Sequence, residues 1–188
     1  MQVTRAAVKI LDDGGITFVS AGDMKRYYFA QTIDEERLDK QLTILMYNPS
    51  TLSGNDKTVA YIEKVCMCHG FGSYNIINLI PQKGGNPSSI SVYFDDSNLD
   101  ILSRVLNQAA TPVWIGWGQL IKGKSQELFP KELKDLLRNH ASRLIRVKMI
   151  PDKYNGKYPV HPSYLRRKHF PVENIEFVPF DINHLESY

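Results

Sequence analysis

The spacing of apolar and polar positions changes several times along the chain, and each change marks an element. LTILMY (42–47) is a short apolar run that breaks into NPST, the pattern of a buried strand running into a loop. Val59, Ile62 and Val65 then recur at helical spacing, with Asn55 or Asp56 as cap and Gly70 as stop. That spacing predicts a helix to about His69. YNIINLI (74–80) reads as a second buried strand, ended by Pro81 and the loop QKGGNPSS. A second helix, capped by Ser97 or Asp96, carries Leu99, Leu102, Val105, Leu106 and Ala109 as its apolar stripe. PVWIGW (112–117) is a third strand, and a helix near Pro130 to His140 turns Leu133, Leu136 and Leu137 inward. RLIRVKMI (143–150) is a fourth strand, whose alternation suggests an edge position.

The ends carry weaker patterns. Within residues 1–40, AAVKIL, TFVSA and RYYFAQT predict a hairpin or ribbon packed on the rest, and NIEFVPFDI predicts a final strand. The alternation of strand and helix predicts an α/β fold in three layers, α/β/α, with a mainly parallel four-stranded central sheet. One domain over 1–188 is expected. Ligands of such sheets bind beyond the carboxyl ends of the strands, which here read NPST, NLIP and GWG.

Composition sets the bounds. The 188 residues, 43% of them hydrophobic, suffice for a core without staples. The start MQVTRAAVKILDDGG has no apolar stretch or cleavage signal, and no apolar run reaches the ~18–20 residues of a membrane span. A soluble cytoplasmic protein with no membrane partner is expected. Cys66 and Cys68 fit a reducing compartment. With His69 they cannot close a tetrahedral metal site, because successive helix positions point apart, so neither metal nor cofactor is expected. KGK and QKGGN lack phosphate-loop spacing, and the chain has no serine elbow or carboxylate cluster.

The net charge of +3 hides an asymmetry. Arg143, Arg146, Lys148, Lys153, Lys157, Arg166, Arg167 and Lys168 stand against one acid, Asp152, giving +7 between residues 143 and 169 and −4 elsewhere. The pattern points to an anionic partner, DNA first, although a solvated strand and loop would also produce it.

MYNPST, GNDKTV, GFGSYNIINLIPQ, WIGWG and HPSYL, in that order between about Lys25 and Phe170, resemble domain-of-unknown-function family 1643. The same series is similar, more remotely, to the uracil-DNA glycosylase superfamily. There, strand one ends in a water-activating loop, strand two in a base-reading asparagine and strand three in a tryptophan-glycine pair. A later histidine-proline-serine loop carries a leucine that enters the duplex. The resemblance implies a uracil-DNA glycosylase-like fold, with those roles falling on Asn48-Pro49-Ser50, Asn78, Trp117-Gly118, His161-Pro162-Ser163 and Leu165. The chain departs from the pattern at Asn48, where many uracil-specific members carry aspartate, and in the YNGKYP stretch before the histidine loop. Tyr61, Phe71 and Tyr47 are all candidates for the aromatic that stacks on the base.

Breaking an N-glycosidic bond leaves negative charge on the base, which the site must stabilise while it positions a water. His161 would donate to the base as a neutral imidazole, and Asn48 would orient the water, since an amide is no strong base. Asn78, with Tyr47 and Ser163, would bind a base taken out of the stack. Leu165 would fill the gap as an apolar wedge, and Arg166, Arg167 and Lys168 would hold phosphates. Plainer readings stand beside these. Asn48 is an ordinary turn residue before proline, Asn78 can bond a strand end, and Leu165 can anchor the C-terminal segment. Trp117-Gly118 suits packing and backbone clearance. The expectation is a monomeric DNA glycosylase acting on an unusual, mispaired or modified base in duplex or single-stranded DNA, in repair or phage defence. The alternatives are a silent nucleotide or nucleic-acid binding module and a hydrolase of free nucleosides or nucleotides.

Overall fold

The computed structural model describes residues 6–12, 14–20, 22–86, 90, 95–108, 110–150 and 156–188. Met1–Arg5 of the N-terminal segment, Pro87–Ser89 of the QKGGNPSS loop, Ala109 of the apolar stripe, and Asp152, Lys153, Tyr154 and Asn155 lie outside the described residues. Among the described residues eight strands form one mixed sheet: β1 (Ala6–Ile10), β2 (Ile16–Ser20), β3 (Arg26–Thr32), β4 (Gln41–Met46), β5 (Ser73–Asn78), β6 (Val113–Ile115), β7 (Leu144–Val147) and β8 (Phe177–Pro179). Their order is β1-β2-β3-β5-β4-β6-β7-β8.

The four apolar runs become β5, β4, β6 and β7, which are mutually parallel. The expected four-stranded sheet is corrected at both edges. The N-terminal strands form the expected antiparallel hairpin, but as part of the sheet. They continue the sheet antiparallel, with β3 paired to β5 from Tyr28↔Ile77 to Thr32↔Ser73. Buried Tyr27 and Phe29 make that placement worthwhile, because a free ribbon would leave both in water. At the other edge β8 runs antiparallel to β7, so β7 is internal and its half-polar alternation reflects a covered neighbour.

The helices are α1 (Lys57–Cys68), α2 (Asp96–Gln108), α3 (Ser125–Leu128), α4 (Lys131–Asn139) and α5 (Pro162–Arg167). Asp56 caps α1, its Oδ1 accepting from the backbone N–H groups of Thr58 and Val59. At α2 the carboxylate that accepts from the Asn98 N–H is Asp95, at 2.9 Å, one residue before the expected Asp96 or Ser97.

Alternate residues of each strand serve opposite cores. Leu42, Ile44, Met46, Tyr74, Ile76 and Trp114 pack with Val59, Ile62 and Val65 of α1 and Leu165 of α5. Leu45, Ile77, Val113 and Ile115 pack with Leu102 and Leu106 of α2 and Leu133 and Leu137 of α4. Among the described residues no helix is long and apolar enough to cross a membrane.

Candidate active site

The alternation that sets Tyr74 and Ile76 under α1 sets Asn78 on the same side, at the carboxyl end of β5 and beside Met46 of β4. Its side chain is 0% exposed, and neither Oδ1 nor Nδ2 has a hydrogen-bond partner among the described residues. A buried polar group left unpaired costs about 1–3 kcal/mol, so native interiors rarely keep one. Nor does Asn78 serve the strand end. The carbonyls of Asn78 and Leu79 both accept from Nδ2 of Asn98 on α2, at 2.8 and 3.1 Å.

The turn after β4 carries Asn48, whose Nδ2 donates to the carbonyls of Pro49 and Gly84 at 3.0 and 2.9 Å. The N–H of Gly84 returns to the Pro49 carbonyl at 3.0 Å. The amide donors therefore tie the turn after β4 to the turn after β5, and Oδ1 is the atom left to accept from a water. Asn48→Ala removes both side-chain bonds and is expected to lower stability by about 1–3 kcal/mol. Urea unfolding checks this, and an unchanged midpoint would show that the tie carries no weight.

His161 is the N-cap of α5. Its Nδ1 accepts from the Ser163 N–H at 3.1 Å, which leaves the ring proton of the neutral form on Nε2. The two glycines of WIGWG make room for it. A Cβ on Gly118, at φ +74°, would lie 3.0 Å from the His161 Cβ, and one on Gly116 would lie 3.0 Å from the Pro162 Cδ. Burial first, then Arg167, pushes the His161 pKa down to about 4, with Asp56 opposing. The ring is thus neutral at pH 7 and a donor through Nε2.

A depressed histidine stabilises the fold above its unfolded pKa of 6.5 and loses that contribution as pH falls toward about 4. Across that window the wild type is expected to lose up to about 1.4 kcal/mol per pH unit more than His161→Gln. Parallel melts from pH 4 to 8 measure the difference, and coincident curves would contradict the burial.

Two charged residues escaped the sequence reading as site residues. Asp56 caps α1 through Oδ1, while its Oδ2 accepts the Ser50 hydroxyl at 2.6 Å. Its charge acts on both His161 and Arg26. Arg26, at the start of β3, is wholly buried, with its guanidinium 5.4 Å from the centroid of the Phe29 ring. Its Nε and both Nη atoms have no hydrogen-bond partner among the described residues. Burial pulls its pKa down to about 10, with Asp56 and Tyr74 acting the other way, so it stays charged at neutral pH. The signal available in the sequence was a cation at the head of the strand RYYFAQT, directly after Lys25.

The remaining candidates divide. Tyr47 lies in the opposite core, its hydroxyl accepting from the Lys124 Nζ at 3.1 Å, so it does not face Asn78. Phe71 precedes β5 and stands at the far end of the sheet. Tyr61 donates its hydroxyl to the Phe170 carbonyl at 2.9 Å, and burial, with Glu173, raises its pKa to about 12. Trp117 packs edge-on against Phe129 and Phe180 in the opposite core. Ser163 serves His161 through its N–H and Arg167 through its carbonyl.

Leu165 requires a correction. It is 0% exposed in the core under α5, because that short helix needs an apolar anchor against α1. The exposed aromatic of the turn is Tyr164, at 43%, with the Lys168 Nζ 5.9 Å from its ring centroid. Arg166 buries an unpartnered Nε, while Arg167 and Lys168 are exposed. The basic stretch is partly spent elsewhere. Arg143 donates to the carbonyls of Leu106 and Thr111, and Lys148 pairs with Glu176 at 2.9 Å. Cys66 is buried, its thiol pKa pushed up by desolvation, and Cys68 is exposed.

A family model described as protein of unknown function (DUF1643) matches residues 26–163. No curated protein matches the sequence. Among solved structures, alpha/beta hydrolase domain-containing protein 10 from mouse is 11% identical, covering 97% of this chain and 70% of that one. Its TM-score of 0.33 is too low to carry fold or activity across.

Proposed function

The chain belongs to the DUF1643 family, whose name states no activity, and we propose that it is an N-glycosidase that excises an unusual, mispaired or modified base from DNA on a uracil-DNA glycosylase-like fold. One observation carries the reading. The buried Asn78 amide offers a donor and an acceptor that no group among the described residues uses, and one edge of a base would pair with both. Near this rim of the sheet stand the acceptor of Asn48 and the Nε2–H of neutral His161.

In this reading Asn78 holds the base edge, and His161 donates to a base oxygen as charge grows there. Asn48 Oδ1 accepts from a water and aims its lone pair at C1′. Asn78 is enclosed, so a base reaches it by displacing the turns that follow β4 and β5. Arg167 and Lys168, exposed beside Tyr164, would meet the phosphates.

The test is base release from single- and double-stranded DNA carrying uracil, mismatches, or natural and glucosylated cytosine modifications, with alkali converting abasic sites to breaks. Breaks that vanish in Asn48→Ala and His161→Ala, and fall steeply with salt, support the reading. Binding without breaks would leave a silent module. Leu165 burial and the internal pairing of Arg143 and Lys148 favour one further reading, hydrolysis of free nucleosides or nucleotides. That activity would be nearly indifferent to salt and to loss of Arg167 and Lys168.

A further inference from the structure

Among the described residues Arg26 has no counter-charge of its own. Asp56 is the acid that acts on it, yet the two make no ion pair, and the carboxylate already accepts from Thr58, Val59 and Ser50. A guanidinium has five donors, and leaving all of them dry in an interior is among the least favourable arrangements a chain can keep. Arg26 is also well placed. Phe29 and Tyr74 belong to the α1-side core and Asp56 caps α1, so the guanidinium lies on the face that Asn78 occupies. Its backbone N–H donates to the Pro81 carbonyl at 2.8 Å, three residues beyond Asn78. Cation and amide thus share one face and one end of the sheet.

We propose that Arg26 receives the departing base, its guanidinium hydrogen-bonding the oxygen on which negative charge collects while Asn78 holds the adjoining edge. The assignment rests on the N-glycosidase reading. It supplies what His161 lacks, because a neutral imidazole offers an ordinary hydrogen bond whereas a guanidinium offers a charge-assisted one in a water-excluded site. The C1′–N bond breaks, and its electron pair leaves with the base and delocalises onto that oxygen. A water oxygen bonds C1′, and the proton it loses goes to the base, so water is the only co-reactant. Arg26 then touches the reacting group in the transition state more strongly than in the bound substrate.

The experiment uses the full chain and two readouts. Calorimetry at pH 8 compares free uracil with 5-nitrouracil, which is anionic there, on wild type, Arg26→Lys and Arg26→Met. Base release from the DNA panel is followed in parallel. Wild type is expected to bind the anion about tenfold tighter than uracil, Arg26→Met to lose that preference, and Arg26→Lys to keep part of it. Arg26→Met should melt no lower than wild type, since it removes an unpaired buried charge. If Arg26→Met does not fold, the partial loss in Arg26→Lys decides. Anion preference that depends on Arg26, with no base released from any DNA, would sink the glycosylase reading and leave Arg26 as an anion receiver. Base release with no anion preference in wild type, or with the preference intact in Arg26→Met, would overturn the assignment alone. No binding and no release would overturn both.

Discussion

Asn78→Leu is expected to abolish base release and, at the same time, to raise the melting temperature. Most core substitutions damage both, so the opposed signs are informative. The wild-type amide is enclosed with neither polar atom paired, and each such group costs about 1–3 kcal/mol. Leucine keeps the branched outline in a bulkier form, removes both groups and places its methyls against Met46 and the α1-side core, where overpacking takes back part of the gain. A gain of about 1–3 kcal/mol follows, or several degrees in a chain of this length. Asn78→Ala should show less gain, because the cavity it leaves offsets the relief. Asn78→Asp should be destabilised by burial of a carboxylate. Thermal melts of the three variants beside the release assay make the comparison. A loss of stability in Asn78→Leu would mean that the amide is a scaffold element, and the proposed base contact would fall with it. A protein that keeps an unfavourable group at one position needs that group for something besides folding.

How much of this was legible beforehand follows from which signals are local. β4, β5 and β6 announce themselves as apolar runs, and α1, α2 and α4 as helical stripes, because burial repeats along each element. Asp56 as the α1 cap was readable for the same reason. The pairing of β3 with β5 was not, since Tyr28 and Ile77 come from distant stretches of the sequence and nothing near either names the partner. β7 looked like an edge because its alternation cannot reveal that β8 will lie beside it.

At the site the limits are similar. Asn48, Asn78 and His161 were named as candidates through the resemblance, from their places at strand ends and in one loop. The face of Tyr47 was missed because adjacent strand positions point opposite ways, and it fell to the far core. Leu165 sits in a helix of six residues, too short to display a period, and so its inward side was hidden. Arg26 was invisible for a different reason. A charge is read as exposed by default, and only the assembled sheet shows it buried without a partner.

That same turn gives the sharpest separation between a folding residue and a DNA-contacting one. Leu165→Ala is expected to cost about 2–5 kcal/mol, since a fully enclosed side chain leaves a cavity between α5, α1 and the sheet. Its activity loss would then track unfolding and recover at low temperature. Tyr164→Ala, one residue earlier, should stay within about 0.5 kcal/mol of wild type, because nearly half of its surface faces solvent. An aromatic ring there can fill the space left by a displaced nucleotide, which matters only when a base is pulled from a stacked duplex. Tyr164→Ala should therefore lose release from duplex DNA by tenfold or more, at about 1.4 kcal/mol per factor of ten, and lose little from single strands. Urea midpoints for both variants, with release rates on matched duplex and single-stranded substrates, test the division. Equal losses on the two substrates would remove Tyr164 from the duplex and return it to the surface. A stable Leu165→Ala with selective duplex loss would restore the leucine as the residue that enters DNA and require α5 to turn outward on binding.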